Sequence, residues 1–93
     1  MSTQPFASVW DAIEDTAEEA QNMKLRSALA MALTEHISRV GLNQAQAADL
    51  LGVTQPRVSD LVRGKIHLFS LDALVNMASA AGMQIQMRVH ESA

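Results

Sequence analysis

The stretch Gln44 to Arg63, QAQAADLLGVTQPRVSDLVR, decides the fold. Counted from Gln44, Ala48 is the fifth residue, Gly52 the ninth and Val58 the fifteenth. A helix-turn-helix needs a small residue at the fifth place, where its two helices cross at close range. At the ninth the chain turns, which favours φ > 0 and therefore glycine, a residue with no Cβ to clash. Val58 then plugs the second helix into the first, while Leu51, Val53 and Leu61 fill the other inward places. Thr54 is a good N-cap for the second helix. A chance helical hairpin would show the apolar spacing but has no reason to supply alanine, glycine, threonine and a polar second-helix face together.

Outward from this motif the pattern stays helical. Asn43 can cap the first motif helix, predicted to run to about Leu51, and Thr54 the second, predicted to reach about Arg63 before Gly64. Pro56 falls in the first turn, where its missing N–H costs little. Upstream, Leu25, Ala28, Leu29, Ala32, Leu33, His36, Ile37 and Val40 recur at three- and four-residue steps, predicting a buried stripe on a scaffold helix that ends at Gly41. Ser8 with Asp11, and Thr16 with Glu19, each read as a capping box, so a short helix near 9–15 should precede the long one starting near 17. Residues 1–7 carry no pattern and are expected to fray. Downstream, 64–69 reads as a loop. Ser70 caps a helix over 71–81 whose Leu71, Leu74, Val75 and Ala78 face inward, and Gly82 stops it.

The period changes at the end of the chain. Met83, Ile85, Met87 and Val89 alternate with Gln84, Gln86, Arg88 and His90, which is a strand pattern. A lone strand leaves backbone groups unpaired and an apolar face uncovered. The simplest partner is the same strand of a second copy, related by a two-fold axis, so Met83, Ile85, Met87 and Val89 are the expected dimerisation residues.

Ninety-three residues make one domain with at most a short appendage. With 48% apolar and only 3% aromatic residues, the composition favours packed helices over a β-sandwich. There is no cysteine, hence neither a disulfide nor a thiolate metal site. No apolar run approaches the roughly 20 residues of a membrane span and no secretory signal is visible, so the expectation is a cytoplasmic protein without a membrane partner. The net charge of −3 argues against nucleic acid only until its distribution is examined. Residues 1–22 hold five acids and no base, whereas 23–93 hold seven bases against five acids. An acidic arm, 1–22, is therefore expected to precede a mildly basic domain, 23–93, whose charge is compatible with DNA binding and whose C-terminal strand pattern points to dimerisation.

On the second motif helix, at about 100° per residue, Val58, Leu61 and Val62 should point inward. Pro56, Ser59, Asp60 and Arg63 then make up the outward face, with Gln55 and Arg57 at its flanks near the N-terminal end, and the six together are the candidate base-reading surface. Glutamine can pair with adenine N6 and N7, arginine with guanine O6 and N7, and aspartate can accept from cytosine N4. Asp60 would repel phosphate, so it is expected either to read a base or to orient Arg57 or Arg63. Asn43, Gln44, Thr54 and Lys65 flank the helices where polar groups and free N–H donors can hold phosphate. His36, His67 and His90 have no ligand partners at helical spacing, so no metal is expected, and the six methionines read as gap-filling. Nothing resembles a nucleophile–base pair or a phosphate-binding glycine loop. Neither catalysis nor a cofactor is expected.

These residues resemble the helix-turn-helix of the Cro/phage-repressor (XRE) family. The likeness extends over residues 23–89, and its most specific segments, TQPRVSDLVRGK and LFSLDALVNM, look like the HigA-type antitoxins of that family. The resemblance implies an all-α fold, a bundle of about five helices with a Cro/repressor-type helix-turn-helix, plus one C-terminal β-strand pairing across a dimer. It further implies a homodimeric repressor of palindromic operator DNA that neutralises a RelE/HigB-like ribonuclease toxin and represses their shared operon. Such a toxin must be basic to approach RNA, and the acidic arm offers Val9, Trp10, Ile13 and Glu14 as candidate contacts. The same apolar residues would equally serve to cover the protein's own core. A solitary XRE-type regulator without a toxin stands as the alternative; the neighbouring gene separates the two.

Overall fold

Thr16 opens the region described by the computed structural model, residues 16–91. Its hydroxyl accepts from the Glu19 N–H at 3.1 Å and starts α1, Ala17–Val40. Gly41, at φ 81°, ends that helix by donating to the Ile37 and Ser38 carbonyls. Asn43 then opens α2, Gln44–Leu51, through a reciprocal capping box: the Gln46 N–H donates to Asn43 Oδ1 at 2.8 Å, and the Asn43 N–H to Gln46 Oε1 at 2.9 Å. Gly52 turns the chain at φ 70°, the left-handed conformation expected of it. Thr54 caps α3, Gln55–Val62; a 3₁₀ turn covers Ile66–Leu68; Ser70 caps α4, Leu71–Ala80. Local signals of the capping kind thus set every α-helix start among the described residues, whereas the 3₁₀ turn has no side-chain cap. The short helix expected near 9–15 lies outside them, leaving four α-helices and the 3₁₀ turn, and the division expected at residue 22 falls within the continuous α1.

The core is wholly apolar: Ala30, Leu33 and Ile37 from α1; Ala47, Ala48 and Leu51 from α2; Val58 and Leu61 from α3; Phe69; and Leu74, Met77 and Ala78 from α4. The small residues of α2, Ala47 at 0% and Ala48 at 6% exposure, permit close helix approach, with Val58 and Leu61 as the facing pegs. Burying each large aliphatic side chain contributes about 1.5–3 kcal/mol, so these pegs hold α3 on its scaffold far more firmly than any surface bond. α1 packs most extensively on α4, and α2 on α3. Phe69, the largest fully buried side chain, is also the sole aromatic among the described residues.

Several inward assignments need correction. On α1 the buried positions are Ala30, Leu33 and Ile37, while Leu25, Ala28 and Val40 of the expected stripe are exposed and Leu29 is only partly buried. The apolar surface of α1 is wide: 30, 33 and 37 enter the core shared with the motif and α4, whereas Leu25, Ala28 and Leu29 line a groove with Leu71, Val75 and Ile85. Val75 is accordingly exposed, and Met77 takes the core place beside Leu74 and Ala78. Val62, expected inward, is exposed because it ends α3 and borders an open groove with Met31 and Thr34 of α1.

After Gly82 the Met83 N–H still donates to the Ala78 carbonyl, and Met83 packs against the core. Residues 83–89 form no strand within the single chain, whose exposed Ile85, Met87 and Val89 lead away from that anchor. Among the described residues no helix is long and apolar enough to cross a membrane.

Candidate nucleic-acid interface

The burial of Val58 and Leu61 fixes which face of α3 looks outward. Gln55, Pro56 and Arg63 are exposed, Ser59 and Asp60 are half-exposed, and Arg57 is half-buried. Pro56 lies in the first turn, where no intrahelical N–H bond is forgone. The Arg57 N–H donates to Thr54 Oγ1 at 3.4 Å, leaving the Thr54 hydroxyl proton free to donate outward. Likewise the capping box uses Asn43 Oδ1 as an acceptor, so the amide N–H₂ of Asn43 remains available, with exposed Gln44 beside it. These are the donor groups a phosphate requires.

Charge on this side is net positive: between 54 and 70 there are three bases, Arg57, Arg63 and Lys65, and one acid, Asp60. Asp60 was expected to read a base or to orient Arg57 or Arg63. The side chain it pairs with is neither arginine but Lys65, with Nζ 3.9 Å from Oδ1. The reason is local: Gly64 reverses the chain so that the Lys65 N–H donates to the Asp60 carbonyl at 3.0 Å, bringing the two side chains together. Such a solvent-accessible pair, its Lys65 and Asp60 side chains 46% and 27% exposed, is worth about 0–1 kcal/mol, so Lys65 can exchange it for a phosphate at little cost.

Arg57 is engaged with its own protein. Its Nη1 donates to the Leu68 carbonyl at 3.1 Å, and its guanidinium carbon lies 4.0 Å from the Phe69 ring centroid. Arg26 of α1, unmarked by any sequence pattern, donates Nη1 to the Phe69 carbonyl at 3.3 Å. Phe69 itself had a readable signal. It precedes the Ser70 cap, and Leu74 lies four residues after that cap, the spacing of a hydrophobic staple; both are buried in the same cluster. The expected toxin contacts Val9, Trp10, Ile13 and Glu14 lie outside the described residues. No group of three or more His, Cys, Asp or Glu side chains gathers at a metal-binding geometry among the described residues.

Two helices locked by Ala48, Gly52 and Val58, the second presenting a polar, positively flanked face, define a DNA-binding helix-turn-helix domain. Residues 12–90 match the family profile described as a helix-turn-helix domain. A solved structure, named as that of a candidate XRE-family transcriptional regulator, is 32% identical and superposes with a TM-score of 0.72 over 80% of this chain and 83% of that one. No curated protein matches the chain significantly. The chain belongs to the XRE-type helix-turn-helix family of DNA-binding transcription regulators.

Proposed function

We propose that the protein acts as a homodimeric, sequence-specific repressor, setting α3 of each copy into the major groove at the two half-sites of a palindromic operator. The observation that carries this reading is the outward face of α3, with Gln55, Ser59 and Arg63 open to solvent, and the donors left over by the caps at Asn43 and Thr54 which, with Gln44 and Lys65, would take the phosphates. Pro56 adds an apolar contact for a thymine methyl on the same face. The dimer is supported by the C-terminal segment. Ile85, Met87 and Val89 are 42%, 72% and 83% exposed, and the groove between α1 and α4 continues directly into Ile85 and Met87. Antiparallel pairing with a second copy would satisfy the backbone of 83–89 and shield this apolar surface together.

The likeness of residues 23–89 to HigA-type antitoxins extends the proposal to neutralisation of a basic ribonuclease, with the acidic arm as the docking element. Support for that extension is electrostatic: five acids and no base in residues 1–22 suit a cationic partner and oppose DNA. Footprinting upstream of the protein's own gene tests the repressor reading; two protected half-sites about 34 Å apart are expected. A single protected half-site would overturn the two-fold arrangement. Ending the chain after Gly82 should yield monomers in sedimentation and much weaker operator binding, and an unchanged dimer would remove 83–89 from the interface.

A further inference from the structure

Arg57 and Arg26 approach one short segment from two helices. Arg57, from the first turns of α3, takes the Leu68 carbonyl and covers the Phe69 ring; Arg26, from α1, takes the next carbonyl, that of Phe69. Phe69 is 1% exposed and anchors the connection into α4. Both bonds are made by ionised donors and are correspondingly stronger than neutral ones. The Arg57 cation also lies on an aromatic face, a contact that adds to its hydrogen bond. To present Nη1 to guanine, Arg57 would have to give up the Leu68 carbonyl, and any large swing of the guanidinium would also uncover the Phe69 ring.

Resting on the reading of α3 as the recognition helix, we infer that Arg57 is a positioning residue rather than a base reader. It clasps the base-reading end of α3 to the Leu68–Phe69 segment, and through Arg26 that segment is clasped to the scaffold helix. The clasp sets the angle at which α3 meets DNA. Base discrimination then falls to Gln55, Pro56, Ser59 and Arg63. Lysine cannot replace Arg57 in this role, because the contact needs a planar, forked cation that stacks and donates at once.

The test uses the full-length protein and a randomised duplex library, sequencing the bound fraction for the wild type, Arg57→Ala and Arg57→Lys, with thermal unfolding of each. A positioning residue predicts that Arg57→Ala retains the selected sequence at every position but binds all selected duplexes more weakly by a common factor. It also predicts a melting temperature lowered by on the order of 5–10 °C, the loss of one stacked, hydrogen-bonded cation. Arg57→Lys should behave almost like Arg57→Ala. Against a Phe69→Leu background the thermal effect of Arg57→Ala should shrink by at least half, since the two side chains act as a pair. Should Phe69→Leu not fold, the comparison of lysine with alanine decides.

Loss of discrimination at one base pair with an unchanged melting temperature would overturn the inference in favour of direct readout. A uniform loss that lysine restores would overturn it in favour of phosphate contact. A wild type that selects no sequence would instead refute α3 as the reading helix; the clasp would then stand or fall on the thermal cycle, additive losses refuting it.

Discussion

Replacing Gly52 by alanine separates two explanations of why the motif turns on glycine. Gly52 sits at φ 70°, and a Cβ built there meets no atom within 4 Å. Space is therefore not the constraint, and the whole cost of a side chain is the left-handed backbone, about 1–2 kcal/mol for an L-residue. Alanine also stiffens the unfolded chain, which returns about 0.4–1 kcal/mol. The net loss for Gly52→Ala is then about 1 kcal/mol, or roughly 4–8 °C in melting temperature for a domain of this size. Gly52→Asn should lose less, because asparagine tolerates this region, and Gly52→Val more, because β-branching does not. Thermal unfolding followed by far-UV circular dichroism gives the ranking. Operator affinity at low temperature should be unchanged for alanine and asparagine, since Val58 and Leu61 still seat α3. A loss above about 3 kcal/mol for alanine, or equal losses for asparagine and valine, would show that crowding and not φ governs the position.

Gln55→Ala should cost about 1–3 kcal/mol on operator DNA and much less on random DNA, as measured by fluorescence anisotropy; equal losses on both would reassign Gln55 to phosphate. Lys65→Ala should weaken both DNAs alike and reduce the salt slope by about 0.9, with little change in stability because its pair with Asp60 is exposed; an unchanged slope would remove Lys65 from the interface. Deleting residues 1–15 retains the Thr16 cap of α1 and should preserve operator binding while abolishing capture of the neighbouring gene's ribonuclease. Normal capture by the shortened chain would move docking to the helical body, and loss of cooperative unfolding would assign Val9, Trp10 and Ile13 to the core.

The starts of α1, α2, α3 and α4 were legible because a cap is a local device: Thr16, Asn43, Thr54 and Ser70 need only the N–H three residues on. The crossing at Ala48 and the turn at Gly52 were legible for the same reason of short range. Burial on α1 and α4 was less so. Both helices carry apolar residues over a surface wide enough for two neighbours, and periodicity cannot say which neighbour lies within the same chain. The engagement of Arg57 was invisible because its partners, Leu68 and Phe69, lie eleven and twelve residues on, across a loop with no repeating pattern. The ion-pair partner of Asp60 was hidden on the same scale, since pairing with Lys65 depends on how Gly64 redirects the backbone.

Phe69 being the sole aromatic among residues 16–91 makes the helical body nearly silent in near-ultraviolet fluorescence. The chain has no tyrosine and one tryptophan, Trp10, which stands in the acidic arm. Indole emission therefore reports on the surroundings of the arm alone, without a label and without a background from the DNA-binding domain. Titrating operator DNA and a basic protein partner separately against this one fluorophore would show which of them the arm senses, and at what concentration.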